Sequence, residues 1–254
     1  MKVFCFPSHI EEDILALAAG QVPYARTAEF SEIVRSNEVR LMELLGCSGG
    51  RIVPLTASGT GAMDAVVSNL AGTVDRALVV SGGTFGERWA ELCRYYEVAH
   101  DVFRVPFAED IDFAALELML SSRPYDAVFM QHHETASGQL FDVAAAGRLC
   151  ERIGAMLVVD AIGSFLADDF RMDDWGVGIA VLSSQKGLCL PPGLGFVALS
   201  ETAAAREFAR RSFYFAFQEN LANLSRGQTP YTPAVPLFVQ LDARLRRVSA
   251  EGAG

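Results

Sequence analysis

Two hydrophobic periods alternate along the chain. Short apolar runs occur at 51–55, 77–80, 102–105, 127–131, 156–159, 179–182 and 196–198. Continuous runs of this length read as strands buried on both faces. Between them, apolar residues recur at spacings of three and four at 62–71, 87–96, 113–121 and 143–153, which predicts helices. Two further helices come before the first strand. One covers 11–19 and ends at Gly20. The other covers 29–45, where Phe30, Ile33, Val34, Leu41, Leu44 and Leu45 keep the helical period and Gly46 stops it. A last helix is expected at 237–248. Strands alternating with helices predict an α/β fold, three-layer αβα with a mostly parallel central sheet. No internal repeat, low-complexity tract or clear linker interrupts the pattern.

Ligands of open α/β sheets sit outside the carboxyl ends of the strands. The polar residues at those ends are therefore expected to converge. They are Ser58-Gly59-Thr60-Gly61, Gly82-Gly83-Thr84-Phe85, His132-His133-Glu134-Thr135, Asp160-Ala161 and Ser184-Gln185-Lys186. Lys186 stands where an apolar strand hands over to the turn-rich stretch Leu188-Cys189-Leu190-Pro191-Pro192-Gly193-Leu194-Gly195. A lysine flanked by apolar sequence loses its proton more readily, and a neutral amine forms Schiff bases. The other reading is a lysine that snorkels from a strand end to solvent. Asp160 ends the run Met156-Leu157-Val158-Val159, so its carboxylate needs a cationic or hydrogen-bonding partner. It reads either as a structural cap or as a site residue. Ser58-Gly59-Thr60-Gly61 lies between a strand and a helix. Small residues at a helix N-terminus can cradle an anion, and the same residues also make a plain helix cap. The third glycine of a dinucleotide fingerprint is replaced by Asp64, and no Walker lysine follows. Together, a lysine, a strand-end carboxylate and an anion cradle are what pyridoxal phosphate requires. Phe85 offers an aromatic face for its ring.

Composition narrows the options. A net charge of -10 argues against a general nucleic-acid binder. The five cysteines have no CxxC spacing, which fits reduced thiols and a cytoplasmic setting. The opening Met1-Lys2-Val3-Phe4-Cys5-Phe6-Pro7 is too short and too soon broken for a signal peptide. No apolar run approaches a membrane span. His132, His133 and Glu134 are consecutive, so on a strand they point to opposite faces and do not ligate one metal together. No GxSxG elbow is present.

The motifs resemble those of class V aminotransferases of fold type I, the group holding alanine–glyoxylate, serine–glyoxylate and 2-aminoethylphosphonate–pyruvate transaminases. The resemblance spans about 26–251. It rests on Thr56-Ala57-Ser58-Gly59-Thr60-Gly61-Ala62-Met63, Phe85-Gly86-Glu87-Arg88, His133-Glu134-Thr135-Ala136-Ser137-Gly138, Val159-Asp160-Ala161-Ile162-Gly163-Ser164-Phe165, Ser184-Gln185-Lys186 and Pro191-Pro192-Gly193-Leu194-Gly195-Phe196. The resemblance implies that Lys186 bonds the cofactor and later moves the proton. It implies that Asp160 pairs with the ring nitrogen, that Ile162 packs under the ring and that Phe85 stacks over it. Ser58, Gly59 and Thr60, helped by Gln185, would cradle the phosphate, with Thr135 near the ring hydroxyl. The stretch Gly227-Gln228-Thr229-Pro230-Tyr231-Thr232-Pro233 also matches. In the family it reaches across a homodimer interface, with Thr232 as donor to the partner's phosphate.

The implied activity moves an amino group from a small donor (alanine, serine or 2-aminoethylphosphonate) to a small 2-oxo acid such as glyoxylate or pyruvate. The alternatives are another activity of the same cofactor, such as a lyase or decarboxylase, or a shortened relative that binds cofactor with little or no turnover. The expected organisation is an N-terminal arm at 1–25, a cofactor-binding large domain at 26–236, and at 237–254 the start of a helix leading to a small C-terminal domain that the chain lacks. In the family that domain carries the arginine that grips the substrate carboxylate. Two departures stand out. The family's early Pro-Gly-Pro loop is Phe4-Cys5-Phe6-Pro7-Ser8, and the usual histidine before Arg26 is Ala25.

Overall fold

The computed structural model describes residues 8–251. Residues 1–7, which hold Cys5 and most of the Phe4–Ser8 stretch, and residues 252–254 lie outside the described residues.

A short helix, α1 (Glu12–Ala16), runs into a single 3-10 turn at Leu17–Ala19. Helix α2 (Ala28–Leu45) follows. Thr27 caps it by accepting from the Phe30 N–H, and Gly46 ends it in the left-handed conformation that glycine adopts freely. From β1 (Arg51–Leu55) the alternation expected from the hydrophobic pattern sets in. Helix α3 spans Gly59–Leu70, β2 Ala77–Ser81, α4 Thr84–Tyr95 and β3 His100–Arg104. Helix α5 spans Phe113–Ser121, β4 Ala127–Gln131, β5 His133–Glu134, β6 Gln139–Leu140, α6 Val143–Ile153 and β7 Met156–Asp160. Then come β8 (Val177–Ser183), β9 (Gly195–Leu199), α7 (Glu201–Ala204), α8 (Phe217–Leu224) and α9 (Val235–Glu251).

Two helices begin three residues earlier than their hydrophobic period suggests. Helix α3 starts at Gly59 rather than at 62 because Ser58 caps it, and α4 starts at Thr84 rather than at 87. Their first turns, Gly59-Thr60-Gly61 and Thr84-Phe85-Gly86, are rich in glycine and threonine, which add little to an apolar period. The β5–β6 hairpin and α7 leave no periodic trace either. They span two, two and four residues, too short for a period to show. Helix α8 carries the helical spacing Phe217, Leu221 and Leu224 and is an element the sequence reading omits.

Seven strands form one sheet in the order β1-β9-β8-β7-β4-β2-β3, and β9 alone runs antiparallel to its neighbours. The register aligns Gln131, Asp160 and Val181 in one row. Helices cover both faces. The Trp89 indole of α4 meets the Phe129 ring, with centroids 5.1 Å apart. On α6, Gly147 approaches Leu157 and the Trp175 carbonyl so closely that a Cβ there would lie 1.8 Å from the Trp175 oxygen. Phe129 and Leu157 occupy adjacent rows of paired strands, so they point to opposite faces, and α4 and α6 cover opposite sides. Near-complete burial of β2, β4 and β9 follows from this double cover. Helices α1, α2 and α9 pack together beyond the β1 edge, where the Phe30 and Phe238 rings lie 5.5 Å apart. No described helix is long and apolar enough to cross a membrane.

Candidate active site

Strands β7 and β8 are adjacent and parallel, so the residues that follow them emerge side by side. Asp160 ends β7 and is 4% exposed. Its Oδ1 accepts the Ile162 N–H at 2.9 Å. Burial pushes its carboxyl up to about 7, helped by the negative charge of Glu134 and opposed by the Ile162 amide and the positive charge of Lys186. Among the described residues this buried carboxyl has one hydrogen bond, to a backbone amide, and no salt bridge, so it can take a cationic partner.

Strand β8 delivers Ser183, Ser184, Gln185 and Lys186. The chain has two lysines, Lys2 and Lys186. The turn around Lys186 is held from inside. The Ser184 hydroxyl donates to the Pro191 carbonyl at 2.7 Å and accepts from the Leu194 N–H, and the Cys189 N–H closes on the Lys186 carbonyl at 2.8 Å. Ser8 adds a tie by donating to the Gln185 carbonyl at 2.8 Å. Gly187 is required by space, since a Cβ there would lie 2.0 Å from the Phe165 carbonyl oxygen.

Helix α3 arrives from the β1 side. Gly59 packs so tightly that an added Cβ would lie 2.5 Å from Ile162 Cδ1 and 3.4 Å from Ser183 Cβ. The N-terminus of α3 thus meets both the residue behind Asp160 and the strand that leads to Lys186. Ser58 Oγ accepts from the Gly61 N–H at 3.2 Å, and Thr60 Oγ1 accepts from Arg88 Nη1 at 3.2 Å. Each hydroxyl has spent a lone pair, so each retains its proton for an outward acceptor. The Gly59 and Thr60 N–H groups lie outside the helical ladder, as every first-turn amide does. Polar donors at this end of a twelve-residue helix make a site for an anion.

Phe85 is half-buried on the first turn of α4. Its N–H donates to Glu134 Oε2 at 3.2 Å, and the Ala136 N–H donates to Glu134 Oε1 at 3.1 Å. Glu134 has no exposed surface, so it fixes the β5–β6 turn against α4. Hydrophobicity alone does not mark a carboxylate for burial, and only its place in the strand-end series pointed to it. His132 turns away into the core, between the Phe170 and Trp175 rings, with Nδ1 2.8 Å from Ser164 Oγ. Burial lowers its pKa to about 4, which leaves it neutral near pH 7.

Of the residues singled out in the sequence, Ser58, Gly59, Thr60, Phe85, Asp160, Ile162, Gln185 and Lys186 stand on elements that meet at this end of the sheet. Thr135 follows Glu134 and is exposed. Thr232 is exposed and lines a cleft with Thr56, Tyr214 and Tyr231, whose described lining includes neither Lys186 nor Asp160. Arg88 and Glu134 belong to motifs quoted above, yet their contacts with Thr60 and Phe85 could not be read there.

These residues fit pyridoxal phosphate. Asp160 is a buried acceptor for a pyridinium nitrogen, and α3 offers donors to a phosphate. The Gln185 Oε1 and Ser183 Oγ atoms are buried without a hydrogen-bond partner among the described residues, which marks a place for a polar ligand.

Comparison with known proteins places the chain in a family. A family profile described as aminotransferase class-V matches residues 16–216. The chain is 33% identical over 253 residues to the soluble hydrogenase small subunit of Synechococcus sp. (strain PCC 6716), covering 97% of this chain and 65% of that protein. It is 31% identical over 254 residues to the L-aspartate–glyoxylate aminotransferase of Paracoccus denitrificans, covering 97% of this chain and 64% of that one. The chain therefore spans about 65% of the length of these curated relatives. Its fold superposes on the subgroup IV aspartate aminotransferase of Thermus thermophilus with a TM-score of 0.89 and 29% identity, covering 96% of this chain and 69% of that structure. The family match over residues 16–216, on a fold shared with these proteins, makes the chain a member of the class-V aminotransferase family, whose cofactor is pyridoxal phosphate.

Proposed function

We propose that this protein is a pyridoxal-phosphate-dependent transaminase that moves an amino group from a small donor to a small 2-oxo acid. The donors in view are alanine, serine and 2-aminoethylphosphonate, and the acceptors are glyoxylate and pyruvate. Aspartate joins the donors to be tested because a relative is named for it. One observation carries the reading. Gly59 sits against both Ile162 and Ser183, which brings the α3 N-terminus, the Asp160 strand end and the Lys186 turn to one spot.

When bound, the cofactor supplies an electron sink for the carbanion left at the substrate α-carbon. The protein supplies the rest. Lys186 would bond the cofactor and would take and return the α-proton. Asp160 would hold the ring nitrogen in its protonated form, as a buried carboxylate stabilised by a cation. Ile162 and Phe85 would bound the ring on its two sides, and Thr135 lies on the turn that would face its hydroxyl. Ser58, Gly59, Thr60 and Gln185 would bind the phosphate.

Dimerisation belongs to the same reading. Thr232 lies in a cleft of its own, as expected of a residue that serves a partner subunit's site. Beside it Phe213 is 83% exposed, and the Tyr214 and Tyr231 rings stack with centroids 5.2 Å apart. Exposed aromatic side chains are typical of subunit contacts.

The test is borohydride reduction of the cofactor-loaded protein followed by peptide mapping, with steady-state assays of the four donors against both acceptors. The expected adduct is on Lys186, with turnover for at least one pair. An adduct on Lys2, or none, removes the cofactor role of Lys186. An adduct on Lys186 without any turnover removes the transaminase activity and leaves a cofactor-binding protein.

A further inference from the structure

Arg88 is not assigned a role by the reading above, yet it touches the cradle. It sits one turn after Phe85 on α4, so the two side chains share a helix face. Phe85 lies beside Glu134, and Arg88 reaches across to α3. Arg88 Nη1 lies 3.2 Å from Thr60 Oγ1, and its Nε lies 3.3 Å from Glu91 Oε2. Glu91 thus holds one edge of the guanidinium while the other addresses Thr60.

The direction of the Thr60 contact matters. A guanidinium donates and never accepts, so Thr60 Oγ1 must be the acceptor. A threonine hydroxyl has a single proton, and that proton cannot point at Arg88. It is left for an acceptor elsewhere, next to the free amides of Gly59 and Thr60. We propose that Arg88 is a positioning residue that holds the Thr60 hydroxyl as a donor toward the cofactor's phosphate, and so sets the preference for the phosphorylated over the unphosphorylated cofactor. The inference rests on the α3 N-terminus being the phosphate cradle. Because Arg88 acts through Thr60, its influence should fall on the phosphate and spare the ring.

The experiment titrates cofactor-free protein with pyridoxal phosphate and with pyridoxal, which lacks the phosphate. The variants are Arg88→Gln, Arg88→Lys, Thr60→Val and the double variant Arg88→Gln/Thr60→Val. Hydrogen bonds to charged groups set the expected scale. Arg88→Gln should weaken pyridoxal phosphate on the order of tenfold and leave pyridoxal unchanged. Arg88→Lys should recover part of the loss, because an ammonium also donates and never accepts. The double variant should bind like Thr60→Val alone, since Arg88 has nothing left to orient. Equal weakening of both ligands would show a merely structural arginine and overturn the proposal. Unchanged affinity for both, or full additivity in the double variant, would overturn it as well. Borohydride mapping of the wild type separates this failure from that of the parent reading, because a Lys186 adduct with phosphate affinity indifferent to Arg88 sinks only the role of Arg88.

Discussion

At the scale of single residues, Asp160 carries the sharpest expectation. Its carboxyl pKa is raised to about 7 in the folded protein, while an unfolded aspartate titrates near its ordinary value. Between those two pH values the folded state holds a proton that the unfolded state has released. Stability of the cofactor-free protein therefore falls as pH rises from the ordinary aspartate value to about 7 and levels off above it, because the unfolded carboxyl ionises while the buried one stays protonated. Asp160→Asn cannot ionise. The cofactor-free variant should gain urea resistance over the wild type as pH rises from about 4 to about 7, with the two nearly equal below that window and the gap constant above it. Parallel curves would show that folding does not raise the Asp160 carboxyl. The same variant should hold pyridoxal phosphate poorly, since an amide does not balance the charge of a pyridinium.

At the scale of elements, two glycines separate the architecture of the site from its use. A Cβ at Gly187 would meet the Phe165 backbone carbonyl, which cannot move without shifting the 161–168 segment. Gly187→Ala should therefore destabilise the whole protein, by about 2–3 kcal/mol on the scale of overpacking in a tight core. A Cβ at Gly59 would meet the far end of the Ile162 side chain, which can swing aside. Gly59→Ala should cost the fold about 1 kcal/mol or less. It should weaken cofactor binding more than that, because Ile162 and the first turn of α3 both face the proposed site. Chemical denaturation and cofactor titration of the two variants check this, and the idea fails if Gly59→Ala loses stability and affinity in equal measure. The elements themselves were largely legible. The predicted helix at 113–121 coincides with α5, and the one at 143–153 with α6, because α6 has strong periodicity, α5 is built of good helix formers, and both begin after aspartates, Asp112 and Asp142, that cap them. The β5–β6 hairpin was not legible. What holds it is the burial of Glu134 against α4, a contact between segments 49 residues apart.

At the scale of the whole molecule, the proposed assembly is a two-fold dimer that shares its two sites. Sedimentation of cofactor-loaded protein should give a dimer, and Thr232→Ala should lower cofactor affinity without disturbing the Lys186 adduct. A monomer with full cofactor occupancy would remove both Thr232 and the exposed aromatic cluster from the site.

The sequence by itself determined the fold class, the order of the longer strands and helices along the chain and the family. Each of these depends on patterns local to a few turns or strands, or on short motifs read in order. It also placed Ser58, Asp160 and Lys186 at strand ends, because strand ends are marked where apolar runs stop. Only the tertiary structure decided how those ends meet. The order β1-β9-β8-β7-β4-β2-β3 bears little relation to chain order, because strand pairing is chosen by burial over long separations. That order sets β7 beside β8, and so Asp160 near Lys186. It also presses Gly59 onto Ile162 and brings Arg88 within reach of Thr60. The reading that His132 and its neighbours could not share one metal needed only strand alternation. The burial that keeps His132 neutral and raises the Asp160 carboxyl comes from surrounding layers of protein, and desolvation has no local signature in a sequence.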